Sequence, residues 1–285
     1  MTALFNDRRL QLLLLLAPGV GYLLFFFGTP LFQALRESLV TDQGDFTLMW
    51  YQRAFSRPSM VRGLTTSLYY GLAPVFVSLA LSVPLSVLIR QSFIGRKLFN
   101  GLYKLPLAVP SLIAALAVII LAEQGGFLDR VLAHVGLSLP KIVRDDAGLG
   151  VIFTSAWKQV PFMTLIITSA FAAIPEDLRL AARAFGASRL QTFLRVEVPL
   201  AMPGISAAVL LTFIGSMGSY AIPDLVGPPS ARPLSVLMVE GFKNGKFHEV
   251  YAMGMILSAF AIAVLIAYYT LTHRIGPQAV TGDER

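Results

Sequence analysis

The chain has 285 residues, 55% hydrophobic and only 14% charged, with a mean hydropathy of +0.69. That balance excludes a soluble domain with a charged surface, and the absence of cysteine excludes disulfides and thiolate metal sites. The net charge of +7 is carried on short connectors between apolar blocks, a placement that speaks for orientation in a membrane and against nucleic-acid binding.

Six membrane-spanning helices are predicted near residues 10–34, 64–89, 105–122, 150–173, 200–222 and 251–272. Each is close to the roughly 20 residues that cross a hydrocarbon layer about 30 Å thick. The first apolar block, Leu10 to Phe27, follows Arg8 and Arg9 like a secretory signal, but it is too long and lacks a small-residue cleavage pattern, so it reads as a retained span. The second span contains Pro74 and Pro84, together with Ser78, Ser82 and Ser86 at four-residue spacing. The serines make a narrow ridge on which another helix can lie close. Residues 90–104 hold Arg90, Arg96, Lys97 and Lys104 without an acid, whereas 123–149 holds Glu123, Asp129, Asp145 and Asp146. This contrast places the N-terminus, and with an even number of spans both termini, on the cytoplasmic side.

Pro106 and Pro110 enter the third span, Glu123 closes it, and Lys158 and Pro161 lie within the fourth. Prolines in spans free backbone groups that must be satisfied by neighbouring helices or by a water-lined path. Ionisable groups at membrane depth are costly and default to functional candidates, so Glu123, Lys158 and Asp224, with the nearby Tyr220, are candidate residues of a substrate path. The carboxylates and the ring suit an organic cation; Lys158 opposes one or snorkels to an interface. His134, His248 and His273 have no ligand-like spacing and read as solvated loop residues.

Between the fourth and fifth spans lies a charged insert, PEDLRLAARAFGASRLQTFLRVEVPLAMPGI, from Pro175 to Ile205. Pro175 suits a first helical position, and Glu176 and Asp177 complement the positive end of the helix dipole. Leu178, Ala181, Ala182 and Phe185 fall on one face, with Arg179 and Arg183 on another. Gly186 is a left-handed cap, and Ser188 with Gln191 forms a capping box that starts a second short helix, whose apolar side is Leu190, Phe193 and Leu194.

At these residues the chain resembles the integral membrane subunits of binding-protein-dependent ABC importers, whose shared cytoplasmic loop follows Glu-Ala-Ala, three residues, Gly, nine residues, then Ile-x-Leu-Pro. Ala181, Ala182, Gly186 and Pro199 match at the right spacing; Val196 and Val198 stand in for the Ile and Leu, and Leu180 replaces the Glu. The resemblance implies an all-α membrane protein of the type I importer arrangement, with six transmembrane helices and a cytoplasmic coupling-helix pair. Leu180, Ala181, Ala182, Arg183, Phe185, Gly186, Ala187, Ser188 and Pro199 would then be ATPase-coupling residues.

The implied partners are two ABC ATPase subunits, a second permease subunit that is a copy or a paralogue, a periplasmic or lipid-anchored solute-binding protein, and the bilayer. Nucleic acid is not among them. ATP and Mg would sit on the ATPase, with no cofactor on this chain, no catalytic residue and no metal site. GFKNGK at 241–246 lacks Walker spacing and the following Ser or Thr. The implied location is the bacterial inner membrane. Residues 1–63 then comprise a tail, the first span and an external loop; 64–272 the core permease domain with its coupling element at 175–199; and 273–285 a cytoplasmic tail.

Within the family the chain looks most like spermidine and putrescine permeases, through GASRLQTFLRVEVPLAMPGI and GSMGSYAIPDLVG. Ferric ion, thiosulfate or phosphonate are alternative solutes. An intramembrane enzyme would need a nucleophile and base or a metal set within the spans, and an ion-coupled secondary transporter would carry acids within spans and inverted repeats. Neither pattern is visible.

Overall fold

The computed structural model of the chain describes residues 8–275; the last ten residues of the expected C-terminal tail lie outside them. The regular secondary structure of the described residues is helical, apart from an isolated antiparallel bridge between Val40 and Phe46. In chain order the helices are α1 (Arg8–Leu23), which passes through a π-turn at Leu24–Gly28 into α2 (Thr29–Glu37), then α3 (Met49–Ser56) and α4 (Pro58–Arg90). Next come α5 (Arg96–Leu102), α6 (Leu105–Ala108), α7 (Ser111–Ala122), α8 (Phe127–Ala133) and α9 (Leu149–Ala172). The insert supplies α10 (Glu176–Ala184) and α11 (Arg189–Thr192), a π-turn at Phe193–Glu197 leads into α12 (Val198–Met217), and α13 (Ala221–Val226), α14 (Leu234–Lys243) and α15 (Phe247–Ile275) complete the chain.

Six helical segments are long and apolar enough to cross a membrane: Leu14–Glu37, Pro58–Arg90, Ser111–Ala133, Leu149–Ala172, Arg189–Met217 and Phe247–Thr270. The all-α class with six spans is therefore the one found, with shifted boundaries. The second helix begins at Pro58, six residues before the expected start, because proline suits a first turn and the helix continues past the charges at its end. The third begins at Ser111 instead of near 105, since Val109 is extended (φ −81°, ψ 120°) ahead of Pro110, as a residue before proline prefers. Past Glu123 the chain turns at Gly125 (φ +78°) and re-enters helix as α8, within a stretch expected to be loop. Pro74, Pro84 and Pro161 do not end their helices. Pro74 and Pro161 are fully buried, so close packing holds the backbone where one helical bond is missing.

The chain divides into two compact units: residues up to Val61 with Met238–Ala259, and Arg62–Leu237 with the chain from Phe260. In the first unit, the start of α15 is tied to the loop and helix that follow α2. Buried Glu249 accepts from Arg57 at 2.9 Å and lies 3.9 Å from Arg53. His248 stacks on Trp50 (centroids 5.5 Å apart, 13° between planes), with Nδ1 2.7 Å from the Glu37 carbonyl and Nε2 3.2 Å from Asp42. It is thus a packed joint, and the expectation of a solvated loop residue is corrected by these neighbours.

In the second unit α4, α9 and α12 pack by close approach of small residues. Ser78, Ser82 and Ser86 are all fully buried, and Ser82 donates to the Val160 carbonyl of α9 at 3.1 Å. A Cβ on Gly204 of α12 would collide with Ala170 of α9, and one on Gly71 of α4 would come within 2.9 Å of the Phe213 ring. Asp145 accepts from the backbone of Leu149 and Gly150 at 2.9 and 3.2 Å and so caps α9.

Where the insert joins the bundle, Arg90 at the end of α4 bonds Glu197 of the π-turn at 2.8 Å, with both side chains mostly buried. The guanidinium lies 5.2 Å over the Phe171 ring of α9, and Phe171 packs on Phe193 with centroids 5.6 Å apart. Removing one partner of such a pair strands a charge at a cost of about 3 kcal/mol. Arg90→Met or Glu197→Leu alone is therefore expected to lower the thermal midpoint of the purified protein, and the double variant to recover most of the loss. Additive losses in this double-mutant cycle would show that the pair carries no coupling.

Candidate functional site

Two features carry functional geometry: the insert, and a cavity at membrane depth in the second unit. The insert is built by its caps. Pro175 is the N-cap of α10, one position earlier than expected, and Glu176 and Asp177 occupy the first turn. Gly186 sits at φ +87°, and its N–H reaches the Arg183 carbonyl at 2.9 Å while Ala187 N–H reaches Ala182 at 3.1 Å. Ser188 then closes a reciprocal capping box with Gln191, through bonds of 2.8 and 3.2 Å.

The insert presents apolar side chains, three of them ahead of the fifth span and two in its first turns. Phe185 is 93% exposed, and Leu178, Leu180, Leu190 and Leu194 are all exposed as well. A cluster of that kind on an otherwise charged element is an interaction surface. Ala181 and Arg183 are exposed beside it, Ala182 and Ala187 half-buried, and Ser188 exposed at the cap.

Pro199 lies just beyond the π-turn, inside the helical run from Arg189 to Met217. A widened turn tolerates the N–H that proline lacks. As a result α11 passes into α12 without a loop.

A cavity of about 280 Å³ opens among α7, α9, α12 and α13. Lys158 lines it and donates to the carbonyl of Val109. That carbonyl is available because the break before Pro110 leaves Val109 outside the α7 ladder. Gln159 donates through Nε2 to the Ser216 hydroxyl of α12, and its Oε1 lies 3.3 Å from Ser78 of α4. Ser111, Ser155, Thr212 and Ser219 complete the polar lining.

Of the four path residues named from sequence, only Lys158 lines this cavity. Glu123 caps α7 outside it and pairs with Arg144 at 3.3 Å. Tyr220 and exposed Asp224 form a local pair at the start of α13, and the hydrogen bond to the carboxylate holds the Tyr220 hydroxyl above its usual range. The sequence reading missed Gln159, Ser155 and Ser216, which are neutral residues in apolar runs; Ser216 has only its place between Gly215 and Gly218 to mark it. It also read Arg90 only as a flanking charge and passed over Glu197. Among the described residues no group of three or more His, Asp or Glu could hold a metal ion.

Residues 78–279 match the family described as "Binding-protein-dependent transport system inner membrane component". The chain is 31% identical over 215 residues to the spermidine/putrescine transport system permease protein PotB of Escherichia coli (strain K12), covering 73% of this chain and 78% of that protein. It is 25% identical over 197 residues to the sulfate transport system permease protein CysT of Salmonella typhimurium, covering 68% of this chain and 69% of that protein. Its fold is similar to a chain of the crystal structure of a bacterial ABC transporter involved in the import of the acidic polysaccharide alginate, with a TM-score of 0.80, 18% identity, and coverage of 96% of this chain and all of that one. With the family match spanning most of its length and the six candidate spans in place, the chain belongs to the inner membrane components of binding-protein-dependent transport systems, the permease subunits of ABC importers.

Proposed function

We propose that the chain forms the solute path of an ATP-driven importer and is moved through its α10–α11 insert. The carrying observation is that the apolar tip at Phe185 belongs to an element fused to α12, whose other end lines the cavity. In this reading Leu180, Ala181, Ala182, Arg183, Phe185, Gly186, Ala187 and Ser188 dock on an ABC ATPase, and Pro199 shapes the passage into α12. Each of two ATPases holds ATP and Mg, closes on nucleotide, and biases the bundle between inward- and outward-facing states. A second permease subunit, copy or paralogue, supplies the other wall of the path. A periplasmic or lipid-anchored binding protein delivers the solute.

The insert and both termini then face the cytoplasm of a bacterial cell. Residues 64–272 form the core permease domain, and 1–63 contribute the first span and an external loop. Leu180 replaces the family's acid with an exposed apolar side chain, so docking here leans on apolar contact, with Glu176 and Asp177 as the acids nearby.

For the solute, a polyamine is favoured by the relation to PotB and by the Tyr220–Asp224 pair. Against it stand a sulfate permease at comparable similarity and a cavity whose one formal charge is Lys158.

Phe185→Ala removes an exposed side chain and is expected to leave folding within about 0.5 kcal/mol while reducing ATPase co-purification and solute uptake at least about tenfold, a loss of roughly 1.4 kcal/mol. Gly186→Asp forces a side chain into the left-handed region and is expected to uncouple ATP hydrolysis from uptake; normal uptake by both variants would remove the insert from coupling. If a polyamine is the cargo, Asp224→Asn raises the KM for spermidine uptake with assembly intact, whereas unchanged kinetics take Asp224 out of the path.

A further inference from the structure

The cavity is rich in hydrogen-bond donors and has no acid among its lining residues. Lys158 has three N–H groups, of which the Val109 carbonyl takes one. No carboxylate among the described residues pairs with it. An ammonium left without a counter-charge inside a span is costly and calls for a partner that the chain itself does not supply.

The hydroxyls of Ser111 and Ser155 have no hydrogen-bond partner among the described residues, and both residues line the cavity. Ser216 is buried and already accepts from Gln159, so its own hydrogen is free to donate. Gln159 is held in place through Ser78 and Ser216 on the two flanking helices. A cation, three hydroxyl donors and no carboxylate repel a polycation and complement an oxyanion.

We propose that this cavity is an oxyanion subsite of the transport path. It takes a sulfate, phosphate or carboxylate group of the solute, with Lys158 as its charge partner and Ser111, Ser155 and Ser216 as donors. The inference rests on the permease reading and fixes the sign of the charge that the path accepts. At about 280 Å³ the cavity holds a small anion or the charged end of a larger one. Gly215 belongs to the same wall, and a Cβ there would meet no described atom within 4 Å.

The test uses the full chain purified in lipid nanodiscs with whatever ATPase accompanies it. Thermal midpoints are followed against sulfate, phosphate, succinate and spermidine at constant ionic strength set with sodium chloride. At least one of the three anions is expected to raise the midpoint saturably, and spermidine is not. Lys158→Gln should weaken that anion at least about tenfold, and Lys158→Arg should retain it. Ser155→Ala should weaken it by a smaller factor, and it decides the matter if Lys158→Gln fails to assemble. The differences among sulfate, phosphate and succinate identify the oxyanion. The subsite is overturned if none of the three anions stabilises saturably, if the anion response is unchanged in Lys158→Gln or, should that variant not assemble, in Ser155→Ala, or if spermidine stabilises and binds more tightly without the lysine. ATPase co-purification and ATP hydrolysis are read in the same preparation. Intact ATPase association with no anion response refutes the subsite alone, whereas absence of an ATPase from the wild-type preparation refutes the permease reading.

Discussion

The contact on which the mechanical design depends is the Arg90–Glu197 pair at 2.8 Å, mostly withdrawn from water and roofed by Phe171. It joins the end of α4, the end of α9 through the ring, and the π-turn from which α12 rises. Three separate helices therefore meet at the root of the insert. A charge pair that is largely desolvated is a poor source of net stability, but breaking it is costly, which makes it a strict specifier of geometry. In the proposed reading, push or pull on the apolar tip at Phe185 would reach this joint, and the uninterrupted run from Arg189 to Met217 would convey it to the cavity wall.

The membrane imposes the second constraint. In hydrocarbon each polar group needs a partner within the protein, and most of the polar side chains here have one: Ser78, Ser82, Thr154 and Thr212 all bond to backbone carbonyls. Thr164 and Thr168 of α9 are buried exceptions, and Lys158, Ser111 and Ser155 leave further donors open at one place, where α7 starts late because of Pro110. The proline that delays the helix also exposes the Val109 carbonyl that anchors the lysine. Local chain chemistry thus creates both the space and the orientation of its single charge.

Much of the fold was legible because its signals are long or stereochemically sharp. Six apolar blocks near bilayer length gave the class, and the turn of the insert, though not the π-turn at Phe193–Glu197, was readable at Gly186 and Ser188, since a left-handed glycine and a reciprocal Ser–Gln cap each have few alternatives. Span ends were less so: hydropathy marks where apolar residues stop, whereas helices extend through charges, as at Pro58–Arg90. Prolines within the spans called for neighbours to satisfy freed backbone groups, and Pro74 and Pro161 are buried inside unbroken helices. The path residues were the weakest part of the reading. Charge at membrane depth found Lys158, but Glu123 and Asp224 have local partners, and the serines that surround Lys158 look in sequence like ordinary packing residues.

Two kinds of serine in neighbouring spans show where that difference lies. Ser78, Ser82 and Ser86 recur on one face of α4 and are buried with their hydroxyls turned to backbone carbonyls, or in the case of Ser78 also within reach of Gln159. Ser155 on α9 is 7% exposed, and its hydroxyl bonds to no described residue where it lines the cavity with Lys158. Small size explains the first set completely, because helices approach closely there. It does not account for the second, where the hydroxyl stands on a cavity wall and alanine would fill nearly the same space. The bonded serines hold the bundle together, whereas Ser155 lines the cavity, where a ligand would complete its hydrogen bonding.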